Sequence, residues 1–102
     1  MKHLLIIGAG GVSRVATIKS AMTMAKGEAF SKITLASRTK SKCDEIAAFI
    51  KERVGVGIAT AAIDADDTAA VAGLIKEIKA DLLLNLALSS PYFLTFLPQG
   101  LL

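Results

Sequence analysis

Residues 4–15, LLIIGAGGVSRV, constrain the fold more than any other stretch of the chain. The aliphatic run at positions 4–7 gives way at once to Gly8, which is typical of a buried parallel strand that ends at a turn. From position 12 to position 26 the spacing becomes helical, and Gly27 is suited to end a helix. The apolar side of this helix is predicted to carry Val15, Ile18, Met22 and Ala25. The stretch therefore predicts a strand, a glycine turn and a helix in direct succession.

The turn matches the GxGxxG fingerprint of dinucleotide-binding domains, with serine at the third position. Gly8 would permit the tight turn, Gly10 would let the backbone approach a pyrophosphate, and Ser13 is small enough for close packing of helix on strand. The helix N-terminus directs N–H groups and the positive end of its dipole at phosphates. The alternative is a glycine-rich turn that binds nothing. The candidate cofactor-binding residues here are Gly8, Gly10, Gly11, Val12 and Ser13.

A second informative segment is LASRTK, residues 35–40, at the predicted end of the second strand. NAD-binding domains place an acidic residue there for the adenosine ribose, whereas a nearby arginine accommodates the 2′-phosphate of NADP. No acid occurs in this segment. Ser37 and Thr39 offer hydroxyls, and Arg38 offers a planar guanidinium suited to phosphate. With Lys40 and Lys42 adding positive potential, NADP is favoured over NAD; the alternative is an ordinary solvated basic loop.

The rest of the chain continues the alternation of strands and helices. Ser41 and Asp44 resemble a capping box for the second helix, which Gly55 ends. Asp66, Asp67 or Thr68 is suited to cap the third. The strands are predicted at residues 4–7, 33–36, 56–63 and 82–88. Helices are predicted over residues 12–26, over residues 41–54, and between the third and fourth strands, where the last helix carries Val71, Leu74, Ile75 and Ile78 on one face. This βαβαβαβ order predicts an α/β fold, a three-layer Rossmann-like parallel sheet of about four strands with three helices.

Length and composition exclude several other classes of protein. The 102 residues leave room for one domain, and 53% hydrophobic content argues against disorder. A net charge of +3 with scattered lysines does not indicate nucleic-acid binding. Cys43 is the single cysteine, which excludes an internal disulfide and favours a packed thiol in a cytoplasmic protein. Residues 82–102 carry no charge, but Pro91 and several polar residues interrupt them, so no membrane span is expected.

Four further positions are candidate cofactor contacts because they follow the third and fourth strands. Asp64 and Ala65 come after the third strand, where Asp64 is suited either to approach the adenine or to open the next turn. Asn85 and Ala87 lie at the carboxyl end of the fourth strand, where open α/β sheets bind ligands. A buried asparagine bonded to backbone is an equal alternative. His3 lies at the opposite end of the first strand, which favours a structural or exposed role.

The segments LLIIGAGGVSRV, ITLASRTKSKCDEIA and LLLNLA together resemble the amino-terminal cofactor domain of the saccharopine dehydrogenase family. The resemblance is stronger to its carboxynorspermidine dehydrogenase branch and covers residues 2–88. Membership would imply an NADPH-dependent reductase that joins an amine to an aldehyde by reducing the imine between them. In that branch the aldehyde is aspartate semialdehyde and the amine is a small diamine on the route to polyamines.

Beyond residue 88 the chain departs from the family pattern. It reads SSPYFLTFLPQGLL, where the family continues with further Rossmann elements and a substrate domain. We therefore expect half of an NADP-binding domain at 1–88, an atypical apolar tail at 89–102, a truncated chain, and neither a catalytic nor a metal-binding residue. Three functions follow: the cofactor-binding portion of an oxidoreductase, inactive alone; a noncatalytic dinucleotide sensor or interaction module; or a remnant without a ligand.

The apolar tail also bears on oligomeric state. Half of a doubly wound sheet leaves LLLNLAL without its usual neighbour, and an uncovered apolar strand needs a partner. The segment YFLTFL is suited either to fold back within the chain or to meet its copy in a second subunit. The apolar area favours self-association, so we expect a homo-oligomer whose contacts include residues 92–97.

Overall fold

The computed structural model describes residues 2–86 together with the strand at 94–96. Strands and helices alternate along the chain until the fourth strand. The strands are β1 (Lys2–Ile7), β2 (Phe30–Ser37), β3 (Ala59–Ala62), β4 (Leu82–Asn85) and β5 (Leu94–Phe96), and the helices are α1 (Gly11–Ala25), α2 (Lys40–Arg53) and α3 (Thr68–Ile78). The predicted elements are thus present, with longer first and second strands and a shorter third.

The five strands form one sheet in the order β3-β2-β1-β4-β5. The pairs β1–β2, β1–β4 and β2–β3 are parallel, which confirms the predicted α/β Rossmann-like fold. The carboxyl ends of four strands therefore meet at one edge of the sheet. Because β1 lies between β2 and β4, this central strand brings its glycine turn to the point where the direction of the strand order reverses.

Alternate residues of β1 pack against opposite layers of the molecule. Leu4 and Ile6 join the cluster that includes buried residues of α1 and α2. Leu5 and Ile7 join a second cluster with Ile75 of α3 on the other face. All four of these β1 side chains are at most 1% exposed. The molecule thus has three layers, and burial on both faces explains the uninterrupted aliphatic run of β1.

Helix α1 turns a different side to the sheet from the one that its aliphatic residues predict. Its buried residues are Ser13, Thr17 and Ala21, one turn apart, whereas Val15 and Met22 are about half exposed. Small side chains let the helix lie close to the sheet, and the Thr17 hydroxyl is satisfied by donating to the Ser13 carbonyl at 2.7 Å. Of the predicted apolar side, Val15, Met22 and Ala25 are exposed, while Ile18 packs against the core cluster.

The helix ends follow the predictions in part. Asp67 caps α3 by accepting the Ala70 N–H at 3.0 Å, and Gly27 and Gly55 take positive φ angles of 76° and 87° after α1 and α2. The capping box predicted at Ser41 and Asp44 was wrong. Helix α2 begins one residue earlier, with Thr39 at its N-cap and no side-chain cap. The Asp44 carboxylate instead accepts bonds from Lys40 at 3.2 Å and from the Thr60 hydroxyl at 2.6 Å.

The edge strand β5 was not predicted as a separate strand. It pairs antiparallel with β4, with Leu84 opposite Leu94 and Leu82 opposite Phe96. Over these three residues the chain folds back on itself, which is one of the two arrangements expected for the tail. The other expected contacts of residues 92–97 and the candidate site residue Ala87 lie outside the described part of the chain. The division at residue 88 stays a prediction.

His3 forms hydrogen bonds to neighbouring elements at the amino edge of the sheet. Its side chain is 7% exposed, its Nδ1 atom lies 2.8 Å from the Ile78 carbonyl oxygen and its Nε2 atom 2.8 Å from the Thr34 hydroxyl. Burial lowers the pKa of His3 below its ordinary value of 6.5, because a charged imidazole loses hydration there. A neutral ring with the proton on Nδ1 satisfies both neighbours, so His3 has a structural role.

Among the described residues, no helix is long and apolar enough to cross a bilayer.

Candidate functional site

A cleft of about 370 Å³ opens at the carboxyl edge of the sheet, above the ends of β1, β2 and β4. Its walls come from the turn after β1, the loop after β2 and the segments after β3 and β4. The lining residues are Ile7, Gly8, Ala9, Gly10, Ser37, Arg38, Thr39, Lys42, Ile63, Ala65, Asp66 and Leu86. Ligands of open parallel sheets bind at this edge, in the crevice beside the central strand.

The glycine turn, residues 8–10, forms one wall of the cleft. Gly8 has a φ of 119°, a conformation that side-chain-bearing residues rarely adopt, and its N–H donates to the Ala36 carbonyl at 2.8 Å. A Cβ atom added to Gly10 would meet nothing within 4 Å. The protein itself therefore leaves the space beside Gly10 open. This cradle fits a ligand that approaches the backbone, as a pyrophosphate does.

Helix α1 begins directly after this turn and points its N-terminus toward the cleft. Gly10 is the N-cap and provides no side-chain cap, and its carbonyl accepts the Arg14 N–H at 2.9 Å. By helix geometry, the amides of the first turn have no partner four residues earlier. With no acidic residue in the first turn, these amides and the helix dipole favour an anion.

Ser13 occupies the third fingerprint position and faces the turn rather than the cleft. Its side chain is buried, at 2% exposure, and its hydroxyl donates a hydrogen bond to the Gly8 carbonyl. The serine therefore closes the turn through a bond that glycine lacks. This contact explains how the departure from a third glycine is tolerated, and it makes Ser13 a structural part of the turn.

The arginine loop, residues 37–39, forms the opposite wall. The Ser37 hydroxyl donates to the Thr39 carbonyl at 2.9 Å and accepts from the Thr39 N–H at 3.1 Å and from the Cys43 thiol at 3.2 Å. These three bonds use the whole capacity of a hydroxyl. Ser37 therefore holds the loop in shape and has no bond left for a ligand. Burial also raises the pKa of the Cys43 thiol, in keeping with the predicted packed thiol.

Arg38 projects from the arginine loop beside two carboxylates. Its side chain is 74% exposed, and its Nη2 atom lies 3.1 Å from Asp64 and 3.5 Å from Asp66. The Asp66 N–H and then the Arg38 guanidinium hold the pKa of Asp64 below its ordinary value. The Asp64 carboxylate also accepts the Asp66 N–H at 3.0 Å, as expected for a residue that opens the turn before α3. Its contact with the predicted phosphate-binding arginine was not expected.

The structure brings together about half of the predicted site residues. Those that line the cleft are Gly8, Gly10, Ser37, Arg38, Thr39 and Ala65. The structure does not place five others among the lining residues, namely Gly11, Val12, Ser13, Asp64 and Asn85, and Ala87 falls outside the described residues. Lining residues absent from the predicted set are Ile7, Ala9, Lys42, Ile63, Asp66 and Leu86. Several of these sit where a strand ends, a signal that the alternation of elements already contained.

The cleft combines a backbone cradle and a helix N-terminus on one wall with Arg38 and Lys42 on the other. Apolar side chains, including Ile63 and Leu86, also line it. Two anion-binding features and an apolar surface in one cleft are suited to a dinucleotide with a further phosphate. The fold and the site together define a dinucleotide-binding domain of the Rossmann type.

Comparison with known proteins specifies the family. The saccharopine dehydrogenase NADP binding domain matches residues 4–96, and this chain belongs to that family. Its cofactor is accordingly NADP, as Arg38 and the missing acid predict. Carboxyaminopropylagmatine dehydrogenase of Synechocystis sp. is 44% identical over 92 residues, which make up 90% of this chain and 21% of the relative. Carboxynorspermidine synthase of Vibrio alginolyticus is 37% identical over 87 residues, covering 80% of this chain and 20% of the relative.

The chain thus spans about a fifth of the length of the curated relatives that it matches. Solved structures share its fold at lower identity. Quinate dehydrogenase from Corynebacterium glutamicum, in complex with NAD, matches 88% of this chain and 27% of its own at a TM-score of 0.54 and 23% identity. Protein Rv1636 from Mycobacterium tuberculosis matches 90% of this chain and 77% of its own at a TM-score of 0.57 and 24% identity.

Proposed function

We propose that this chain is the cofactor-binding portion of an NADPH-dependent reductase that forms carbon–nitrogen bonds. Such an enzyme would join an amine to an aldehyde by reducing the imine between them, as its resemblance to the carboxynorspermidine dehydrogenase branch implies. The observation that carries the proposal is that the glycine turn and Arg38 line the same cleft. When bound, NADPH supplies the hydride for such a reduction.

Different residues of the cleft would bind different parts of the cofactor. The Gly10 backbone and the first amides of α1 would hold the pyrophosphate. Arg38, with Lys42 near it, would hold the 2′-phosphate. The apolar side chains of Ile63 and Leu86 would flank the adenosine half and exclude water from it. None of the described residues is assigned a catalytic role, so the chain by itself is expected to bind cofactor without turnover.

A chimera tests the proposal. Residues 4–96 would replace the matched segment of the Synechocystis relative, and NADPH consumption would be followed by absorbance with that enzyme's own substrates. We expect turnover that Gly10→Val in the transplanted segment abolishes. A folded chimera that binds NADPH but does not turn over would indicate a noncatalytic binding module, and one that does not bind NADPH would contradict the proposal.

We also propose that the chain self-associates through its apolar carboxyl-terminal segment. With β5 as the edge of the sheet beyond β4, a strand edge would be available to a second copy. Light scattering should detect a dimer or larger assembly that Phe93→Asp combined with Phe96→Asp converts to monomer. A wild-type chain that is monomeric at high concentration would contradict this.

A further inference from the structure

Arg38 is shared by two acidic residues at the mouth of the cleft. Its Nη2 atom contacts Asp64 Oδ1 at 3.1 Å and Asp66 Oδ2 at 3.5 Å, so both carboxylates approach the same guanidinium nitrogen. Arg38 and Asp66 both line the cleft. The group expected to recognise a phosphate is therefore already neutralised by carboxylates of the chain itself.

The two carboxylates are held differently. Asp64 Oδ1 also accepts the Asp66 backbone N–H at 3.0 Å, which fixes its side chain against the turn before α3. The Asp66 side chain is 76% exposed, and its longer contact with Arg38 is the one that orients it among the described residues. Asp64 is thus suited to position the guanidinium, whereas Asp66 places a negative charge where a phosphate would arrive.

We propose that Asp66 is a specificity-determining residue, whose carboxylate competes with the cofactor 2′-phosphate for Arg38 and so limits the preference for NADPH over NADH. This inference rests on the proposed cofactor role of the cleft. A phosphate monoester carries a charge of about −1.5 to −2 at neutral pH, so a neighbouring carboxylate repels it. NADH has a neutral hydroxyl at that position, which a carboxylate does not repel and to which it can offer an acceptor, so removal of the charge at Asp66 should not tighten NADH binding.

The test compares Asp66→Asn with two further variants by calorimetric titration with NADPH and NADH. Asp66→Asn removes the charge but preserves the backbone N–H that Asp64 accepts. Asp66→Glu restores the charge. The matched control is Asp67→Asn, which makes the same change of net charge one residue away, at a position that does not line the cleft, and asparagine keeps the α3 cap.

We expect Asp66→Asn to bind NADPH about two- to fivefold more tightly than wild type, as for the loss of one exposed charge interaction. NADH affinity should stay unchanged or fall, Asp67→Asn should have a smaller effect on NADPH affinity, and Asp66→Glu should resemble wild type. The gain should shrink as salt is raised from about 0.05 M to about 0.5 M, because salt screens exposed charges.

The outcomes separate this inference from the proposed function. If wild type binds NADPH but Asp66→Asn binds it no more tightly, or tightens NADH equally, the role of Asp66 is overturned and the cofactor site stands. If neither wild type nor Asp66→Asn binds NADPH, the proposed function fails and the role of Asp66 fails with it.

Discussion

The two walls of the cleft offer an anion different physical features. The glycine turn uses backbone, with Gly8 at a positive φ and open space beside Gly10. The arginine loop uses a long side chain, and Arg38 is exposed and already paired with Asp64 and Asp66. Backbone groups fixed by the sheet are preorganised, whereas an exposed side chain exchanges one partner for another. We therefore expect the glycine turn to determine whether a dinucleotide binds and the arginine loop to determine which one.

Gly10→Val should have the largest effect on binding. Its side chain would fill the space that the pyrophosphate needs, while the fold loses no contact. We expect NADPH and NADH affinity to fall together by about 100-fold or more, equivalent to about 2.7 kcal/mol. Gly57→Val is the matched control, because a Cβ at Gly57 also meets nothing within 4 Å and this residue does not line the cleft. Cofactor binding retained by Gly10→Val would show that the turn is purely structural.

Arg38→Ala should distinguish the role of the arginine loop from that of the glycine turn. Loss of a charge-assisted contact should weaken NADPH binding by about 1.5–3 kcal/mol and leave NADH binding nearly unchanged. Lys51→Ala, which removes an exposed charge at the far end of α2, controls for net charge. Calorimetry with both cofactors measures the difference. An equal loss for NADPH and NADH would mean that Arg38 shapes the cleft and does not recognise the 2′-phosphate.

His3 tests whether the amino edge of the sheet is independent of both walls. Its folded-state pKa lies below 6.5, so the unfolded chain takes up a proton first as the pH falls. The free energy of unfolding should therefore be highest above about pH 6.5 and should decrease toward the folded-state pKa. Urea unfolding at several pH values measures this slope, which His3→Leu should reduce. The ratio of NADPH to NADH affinity should not change in His3→Leu. A changed ratio would show that the amino edge of the sheet is coupled to the cleft at the carboxyl edge.

Ser13→Ala should give the smallest effect. It removes the hydroxyl that donates to the Gly8 carbonyl, which should lower the free energy of unfolding by about 0.5–1.5 kcal/mol. Cofactor binding should weaken only slightly, because the backbone of the turn stays in place. Ser31→Ala, at an exposed position of β2, serves as the control in urea unfolding. A loss of cofactor-binding free energy larger than the loss in the free energy of unfolding would mean that the serine hydroxyl contacts the ligand.

The same contrast explains how much of the fold and the site could be predicted. Gly8 and Gly10 encode a backbone shape directly, and the uninterrupted aliphatic run of β1 encodes burial on both faces, so the strand, turn and helix were all predictable. The core side of α1 was not predicted, because the side of the helix that packs against the sheet carries Ser13 and Thr17 and not Val15. Hydrophobic spacing alone does not report how closely a helix packs.

The arginine loop was harder to predict because its chemistry depends on contacts between distant residues. Arg38 and Asp64 are separated by 26 positions, and only the parallel pairing of β2 with β3 brings them together. The bonds that use the whole capacity of the Ser37 hydroxyl were equally invisible in the pattern. Strand β5 pairs antiparallel with β4, whereas the other strand pairs are parallel. The alternation of strands and helices predicts only parallel pairs, so it does not predict β5.

The central claim is that this cleft binds NADPH in preference to NADH. Calorimetric titration of the unmodified chain with each cofactor, in the same buffer at low salt, tests it most directly. The account predicts that NADPH binds at least about tenfold more tightly, a difference of about 1.4 kcal/mol. Equal affinities for NADPH and NADH, or tighter binding of NADH, would contradict it.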